Sequence, residues 1–223
     1  VDLSALNVVQ LVHDIESIIQ PLAQEKQLTL NIDYQLPLPR TIYSDVTRLK
    51  QILINIANNA VKFTENGSVS ICVHYLESSQ KLEFVIKDTG IGMSEHQIER
   101  VFKPFEQADA TTTRRFGGTG LGLCISKNLA LLLGGDVNLE SEVGVGSRVT
   151  IRVACQLSDD QPMLEFLTQD SQLIPEKDPL LSFASNSFDA NILVAEDNPD
   201  NQLLIKLLLQ TWGLEPDIAN NGA

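Results

Sequence analysis

The sequence predicts an α+β fold, a two-layer α/β sandwich in which helices cover one face of a mixed sheet, followed by an incomplete βαβ unit of a parallel α/β domain. Three observations indicate it: amphipathic helical patterns, alternating strand patterns after them, and a short apolar strand near the end of the chain. A stretch rich in Ser, Asp, Gln and Pro lies between the two parts. We therefore predict domains at 1–155 and 191–223, joined by a linker at 156–190.

The first half of the first domain predicts two helices around a strand. Apolar residues recur every three to four positions over residues 8–23, and alternation over 28–32 predicts a strand that prolines end. Asp45 is a good N-cap for a helix that runs to Phe63. Its predicted buried stripe comprises Leu49, Leu53, Ile56, Ala60 and Phe63.

The sequence of the second half of this domain predicts a hairpin before another helix and two more strands after it. Residues 69–76 and 81–88 alternate and are joined by a short polar turn, which predicts an antiparallel hairpin. Two consecutive glycines, Gly134 and Gly135, end the next helix. That helix is predicted from about Leu121 to Leu133, and the last two strands near Val137–Glu140 and Arg148–Ala154.

The composition is that of a globular protein with an acidic balance. Of 223 residues, 43% are hydrophobic, and 29 acidic against 16 basic side chains give a net charge of -13, which argues against a nucleic-acid partner. The widely spaced Cys72, Cys124 and Cys155 are predicted to be reduced core thiols. Without an apolar stretch of ~20 residues, we expect this chain to be soluble and cytoplasmic.

The second predicted helix carries an unusual polar face. Arg48, Asn55, Asn59 and Lys62 lie beside its apolar stripe. Asparagines lower helix propensity, because the side-chain amide competes for backbone hydrogen bonds. One interpretation is a set of ligands for a metal-bound polyphosphate, since amide oxygens suit Mg²⁺ and lysine suits phosphate. The other is a solvated polar face, which the helix pattern alone favours.

A carboxylate ends an apolar strand face. Leu82, Phe84, Ile86 and Asp88 alternate onto one side of the strand, and a buried carboxylate needs a partner. An adenine amino group would be a suitable donor, and the glycines at 90 and 92 would let a flat base approach. Equally, Asp88 could cap the turn into the helix that starts at Ser94.

A glycine-dense stretch, residues 117–123, opens directly into a helix. Backbone amides at a helix N-terminus bind phosphate, although the lysine and hydroxyl residue of a P-loop are missing here. A flexible loop is the alternative interpretation. Taken with the asparagine face and the apolar-strand carboxylate, the stretch favours a nucleotide site.

These motifs together resemble the catalytic domain of histidine kinases over roughly residues 1–155. Five boxes carry the resemblance in the right order. They are the N box at 55–63, the first glycine box at 88–93, the F box at 102–105, the second glycine box at 117–123 and the final glycine turn at 144–147.

The resemblance implies ATP and Mg²⁺ as cofactors and a mobile lid at 106–119. Asn59 would be the Mg²⁺ ligand, Asn55 a nearby polar contact and Lys62 a phosphate contact, and the last two are the implied catalytic residues. Phe63 would form a wall on the adenine side, and Asp88 would anchor adenine. Arg115 in the lid could reach the phosphates, like its neighbour Arg114, or be solvated. The implied nucleotide-binding residues are Asn55, Asn59, Lys62, Phe63, Asp88, Gly90, Gly92, Arg115, Gly118, Thr119, Gly120, Leu121 and Gly122.

Residues 191–223 resemble the start of a response-regulator receiver domain. A strand at 191–195 ends on Glu196 and Asp197, which the resemblance makes a metal-binding pair, and a helical stretch follows at 202–212. Negative charge at a helix N-terminus is the alternative explanation. We expect the phosphoacceptor aspartate beyond Ala223.

None of the three histidines lies in a phosphoacceptor motif, so we expect the substrate histidine on a dimerising helical hairpin upstream. The resemblance implies a further partner, a receiver domain in cis or a response regulator. It also implies a full-length protein that is a homodimer associated with the inner membrane. Two alternatives stay open: an ATPase of the gyrase or chaperone type, and a degenerate docking domain. The ATPase alternative requires a general base, which the resemblance places as a glutamate at position 55, and this chain has Asn55 there.

Overall fold

The computed structural model describes residues 2–102, 122–157, 163–165, 192–196, 201–202, 205–206, 209 and 216–219. The chain divides into two compact units, Val1–Leu173 and Ile174–Ala223. The described helices of the first unit are α1 (Val8–Glu25), α2 (Val46–Phe63), α3 (Glu95–Val101) and α4 (Gly122–Leu132). Its described strands are β1 (Ser4–Asn7), β2 (Thr29–Gln35), β3 (Leu38–Pro39), β4 (Thr41–Ser44), β5 (Ser68–Leu76), β6 (Lys81–Asp88), β7 (Asp136–Glu142), β8 (Gly146–Ala154) and β9 (Met163–Leu164).

A five-stranded sheet in the order β2-β5-β6-β8-β7 forms one layer of this unit. β2 and β5 are parallel, whereas the other neighbours are antiparallel. Alternate side chains face the core, as on β5, where Val69, Ile71, Val73 and Tyr75 are buried. The predicted α+β fold with a mixed sheet is therefore confirmed.

The second layer consists of helices on the buried face of the sheet. α1 packs against β2, α2 against β5 and β6, and α4 against β7 and β8. The predicted stripe of α2 is buried except at its end, where Phe63 is only half-buried. Phe63 is the last residue of the helix, and the chain turns there so that Thr64 takes the fully buried position.

The open face of the sheet is polar and carries Cys72, although all three cysteines were expected in the core. All three are free thiols, but only Cys155 is buried, whereas Cys72 and Cys124 are half-buried. Cys72 alternates with the buried residues of β5 and so faces away from the helices. On the same open face, Arg152 pairs with Glu83 at 2.7 Å and with Asp136 at 3.7 Å.

The α2 N-terminus is held by Asp45, as predicted. Its Oδ1 accepts from the backbone N–H of Arg48 at 3.1 Å, and its Oδ2 accepts from Nε of the same arginine at 2.9 Å and from the N–H of Asp2 at 3.1 Å. Burial acts to raise the pKa of this carboxyl, but these hydrogen bonds outweigh burial and lower it. Asp45 thus ties the start of the chain to the asparagine-bearing helix.

We expect Asp45→Ala to lower the free energy of unfolding by about 1–2 kcal/mol at neutral pH, the cost of a lost N-cap. The lowered pKa means that the ionised side chain stabilises the fold above its unfolded-state pKa of about 4, and that this contribution disappears as pH falls through the folded-state pKa. Urea unfolding at several pH values measures both effects. Asp45→Asn, which keeps the capping oxygen but not the charge, is the matched control and should recover the part of the loss that is due to the cap, without the pH dependence. Equal stability of the alanine variant and the native chain would contradict the role.

Two segments flank β4. β1 pairs antiparallel with β4, and Tyr43 exchanges backbone hydrogen bonds with Gln156, donating at 2.9 Å and accepting at 3.4 Å. In addition, β9 pairs antiparallel with β3. Residues 163–164 thus lie on the first unit although they fall in the predicted linker, because a two-residue strand leaves no periodicity in the sequence.

In the second unit, the described strands are β10 (Ile192–Ala195) and β11 (Pro216–Ala219), which pair in parallel from Ile192–Pro216 to Ala195–Ala219. The strand predicted at 191–195 is confirmed over its described residues, Ile192–Ala195. Parallel neighbours require a crossover connection, in agreement with the predicted βαβ order.

Candidate nucleotide site

Asp88, the predicted adenine anchor, is the last residue of β6 and is buried. Its Oδ1 accepts from the backbone N–H of Gly90 at 2.9 Å and from that of Ser147 at 3.2 Å. Burial raises the pKa of this carboxyl, and the hydrogen bonds from these two residues offset the rise only in part. A buried carboxylate whose charge is incompletely compensated is typical of a ligand-binding position.

The other interpretation of Asp88, a cap of the turn into the helix that starts at Ser94, agrees with its bond from the N–H of Gly90, two residues further on. α3 is capped by Ser94, whose Oγ accepts from the N–H of Gln97, while the Gln97 side chain accepts from the N–H of Ser94. The helix itself is thus capped by Ser94, whereas Asp88 organises the turn at Gly90 and joins it to β8. Its second oxygen, Oδ2, is engaged by neither of the two backbone amides.

The glycines at 90 and 92 serve close backbone contacts within the protein. A Cβ at Gly90 would collide with the carbonyl oxygen of Phe63 and lie 2.9 Å from Asp88 Oδ1. Gly92 has a φ of +64°, and a Cβ there would collide with the carbonyl oxygen of Glu142. These contacts require glycine without any base nearby, so the predicted approach of a flat base remains a prediction.

Two serines beside Asp88 were not singled out as site residues by the sequence. The hydroxyls of Ser141 and Ser147 lie 2.9 Å apart, and Ser141 Oγ also donates to the carbonyl oxygen of Gly146 at 2.9 Å. The N–H of Met93 donates to Ser141 Oγ at 2.8 Å. These bonds link the two glycine turns. Ser147 belongs to the final glycine turn, and that motif was the signal in the sequence that could have identified it as a site residue.

The asparagine face of α2 is directed partly at α4. Asn55 Nδ2 donates to Ser126 Oγ at 2.8 Å, and a Cβ at Gly122 would lie 2.5 Å from Asn55 Oδ1. Asn59 and Lys62 are half-buried on the same helix. Arg48, by contrast, pairs with Asp45 at the other end of α2. The structure therefore brings Asn55 together with the first turn of α4 and separates Arg48 from them.

The C-terminal end of α2 is fixed from two sides. Lys26 Nζ donates to the carbonyl oxygens of Lys62 at 2.7 Å and Val61 at 3.0 Å. The carbonyl oxygen of Phe63 accepts from the N–H of Ile91 at 3.2 Å, and Lys62 Nζ lies 5.8 Å from the centre of the Phe63 ring. This end of the helix is thus attached to the glycine turn that follows Asp88.

The donor set fits Mg²⁺ bound mainly through phosphate oxygens. Among the described residues there is no group of three or more His, Cys, Asp or Glu side chains that could hold a metal ion by themselves. An amide oxygen from Asn59 suits Mg²⁺, which keeps waters and takes few protein ligands when it binds with a nucleotide. The residues present are therefore compatible with a nucleotide-bound metal.

Several predicted site residues lie outside the described residues. They are Arg115, Gly118, Thr119, Gly120 and Leu121, together with Asp197 and the whole predicted lid. Gly122 is the first residue of α4. In the second unit, Glu196 follows β10, and its Oε1 accepts from Asn201 Nδ2 at 2.9 Å. No helix in the described part of the chain is long and apolar enough to cross a membrane.

Comparison with protein families gives a match over residues 44–157 to the family described as histidine kinase-, DNA gyrase B-, and HSP90-like ATPase. The autoinducer 2 sensor kinase/phosphatase LuxQ of Vibrio cholerae is 35% identical over 217 residues, which cover 96% of this chain and 24% of LuxQ. The aerobic respiration control sensor protein ArcB of Escherichia coli K12 is 33% identical over 210 residues, 94% of this chain and 25% of ArcB. The chain thus spans about a quarter of the length of these relatives.

Solved structures agree with the fold. Full-length ShkA in complex with AMPPNP has a TM-score of 0.62 at 26% identity, covering 100% of this chain and 42% of ShkA. The nucleotide-free catalytic domain of the histidine kinase ThkA has a TM-score of 0.58 at 22% identity, covering 69% of this chain and 97% of ThkA. The second likeness concerns the fold alone.

Proposed function

Because this chain belongs to the family of histidine kinase-, DNA gyrase B-, and HSP90-like ATPases, we propose that it binds Mg·ATP and donates the γ-phosphoryl group to a histidine on a separate helical hairpin. It is homologous to the catalytic domains of two-component sensor kinases such as LuxQ and ArcB. The observation that carries the proposal is the buried, incompletely compensated carboxylate of Asp88. It lies next to the glycine turn that is bonded to the C-terminal end of α2. The enzyme class is a protein histidine kinase, a transferase of phosphorelay signalling.

Each site residue has a defined task in this proposal. Asp88 accepts a hydrogen bond from the adenine amino group, and Phe63 forms a wall on the adenine side. Lys62 neutralises phosphate charge, while Asn59, with Asn55 nearby, provides amide oxygen at the metal. The bound Mg²⁺ supplies charge neutralisation on the phosphate oxygens. Arg115 and residues 118–122 complete the phosphate contacts as predicted from the sequence.

The transfer itself needs positioning rather than covalent help from this chain. The histidine nitrogen attacks the γ-phosphorus, an N–P bond forms, the bond to the bridging oxygen breaks, and ADP leaves as the imidazole loses its proton. Asn55 cannot take a proton from water, because an amide is not a base at neutral pH. Its N–H is moreover bonded to Ser126. Both points favour a kinase over the gyrase-type ATPase.

We also propose the domain order predicted from the sequence: catalytic domain at 1–155, linker at 156–190 and the start of a receiver domain at 191–223. The parallel β10–β11 pair, with Glu196 directly after the first strand, supports a receiver-type βαβ unit. In this proposal Glu196 and Asp197 hold a metal ion. A receiver in cis or a response regulator is the phosphoryl acceptor after the hairpin, and the full-length protein is a membrane-associated homodimer.

Incubating the native chain with γ-labelled ATP tests the function. We expect saturable, Mg²⁺-dependent nucleotide binding, an unlabelled protein and little phosphate release, since neither a histidine acceptor nor a general base is in place. A fluorescent ATP analogue measures binding, and phosphate release is measured in parallel. Rapid hydrolysis by the chain alone would favour the ATPase, and absence of binding would refute the proposal.

A further inference from the structure

We infer that Ser126 is a positioning residue that holds the Asn55 amide so that its oxygen faces the start of α4, where the phosphates are proposed to bind. The inference rests on the proposed nucleotide site and assigns a role to a residue outside the five sequence boxes. It depends on a hydrogen bond and on a steric slot, each involving a different residue of α4.

The hydrogen bond engages one side of the amide. Ser126 is 1% exposed on the face of α4 that packs against α2, and its hydroxyl accepts from Asn55 Nδ2 at 2.8 Å. A buried hydroxyl requires such a partner. With its N–H₂ group directed at Ser126, the amide leaves Oδ1 on the opposite side.

The steric slot receives that oxygen. A Cβ at Gly122 would lie 2.5 Å from Asn55 Oδ1, closer than a carbon atom approaches an oxygen, and 3.1 Å from its Nδ2, a tight contact. Gly122 therefore makes room for the amide at the first residue of α4. The oxygen points to the end of the glycine-dense stretch, and an oxygen there suits a cation, whereas an N–H₂ group would repel it.

The alternative is a purely structural bond that joins α2 to α4. The two roles differ in what they couple to. A structural bond affects the free energy of unfolding only, whereas a positioning bond also changes the Mg²⁺ dependence of nucleotide binding and loses its effect when Asn55 is removed.

A double-mutant cycle distinguishes them, with native chain, Ser126→Ala, Asn55→Ala and the double variant titrated with Mg²⁺ at fixed fluorescent ATP analogue. We expect Ser126→Ala to raise the Mg²⁺ concentration for half-maximal binding by about 2- to 12-fold, the factor that corresponds to ~0.5–1.5 kcal/mol for one neutral hydrogen bond. In the Asn55→Ala background the same change should add nothing. Thr150→Val, which removes a buried hydroxyl on the open face of β8, is the matched control and should leave the Mg²⁺ requirement unchanged.

Each outcome of this cycle either supports or overturns the positioning role of Ser126. A shift that disappears in the Asn55→Ala background supports the positioning role. An unchanged Mg²⁺ requirement in Ser126→Ala, or equal effects in both backgrounds, overturns it even where thermal unfolding shows a lower Tm. If the native chain binds no nucleotide, the proposed function fails and this inference fails with it, so the two failures are told apart by the native chain alone.

Discussion

Asp88→Asn is expected to weaken ATP binding by about 10- to 150-fold, the loss of one charge-assisted hydrogen bond, without weakening the fold. The backbone N–H groups of Gly90 and Ser147 both need an acceptor at Oδ1. The asparagine oxygen must therefore occupy that position, which places the N–H₂ group where Oδ2 stood. Two donors then face each other, because the adenine amino group also donates.

The same substitution should leave the nucleotide-free protein as stable as the native chain or more stable. A raised pKa means that folding disfavours the ionised carboxylate. The stability associated with Asp88 is fully present below its unfolded-state pKa of about 4 and decreases as pH rises through the higher folded-state pKa. At neutral pH the asparagine variant resembles the protonated form and avoids this cost. Most changes at buried polar positions have the opposite effect on stability.

Fluorescent-nucleotide titration and thermal unfolding without nucleotide measure the two effects. Asp33→Asn, on the exposed side of β2, is the charge-matched control and should alter neither. Unchanged affinity in Asp88→Asn would refute the anchor role. Weaker binding together with a clearly lower Tm would instead indicate that the variant disrupts the glycine turn.

Asn59→Ala is expected to slow phosphoryl transfer to the histidine hairpin by about 100- to 1,000-fold, the usual cost of removing one group that stabilises transition-state charge. The hairpin domain of the same protein, supplied as a separate chain with γ-labelled ATP, should acquire an acid-labile label from the native chain. Nucleotide affinity should fall less than the transfer rate, because adenine contacts at Asp88 persist. The measurement compares single-turnover labelling with equilibrium binding.

Asn58→Ala is the matched control, since Asn58 is a half-buried neighbour on α2 that points about 100° away around the helix. It should label the hairpin at nearly the native rate. Equal rates for the native chain and Asn59→Ala would refute the metal-ligand role. Nucleotide binding by the native chain without any labelling of the hairpin would favour the degenerate docking domain.

The sequence predicted the large elements because each depends on its own periodicity and local signals. The α2 helix, with Asp45 as its cap and Gly134 at the end of α4, follows from local chemistry. Contacts between distant segments could not be predicted in this way. The bond between Asn55 and Ser126 joins residues 71 positions apart, and Asp88 bonds Ser147 across 59 positions. No local pattern contains such partners.

Glycines show the same limit in another form. The sequence correctly located the glycine turns but explained Gly90 and Gly92 by a ligand. The structure places the backbone of Phe63 and Glu142 against them, which is a separate reason for glycine at both positions. A glycine in the sequence indicates a close contact or a positive φ, and only the folded chain shows which of the two applies.

The hydrogen bonds around β4 imply unequal local stability of two segments of the first unit, the one before α1 and the one after Cys155. Tyr43 directs its backbone groups to Gln156, so on this antiparallel strand its neighbours must serve β1 on the other edge. Four residue pairs hold the segment before α1, whereas among the described residues one bridge and the two-pair β3–β9 ladder hold the segment after Cys155. Local opening should therefore cost less free energy at Gln156 and at Met163–Leu164 than at β1, and native-state exchange should be faster at those residues while the β1–β4 ladder remains closed.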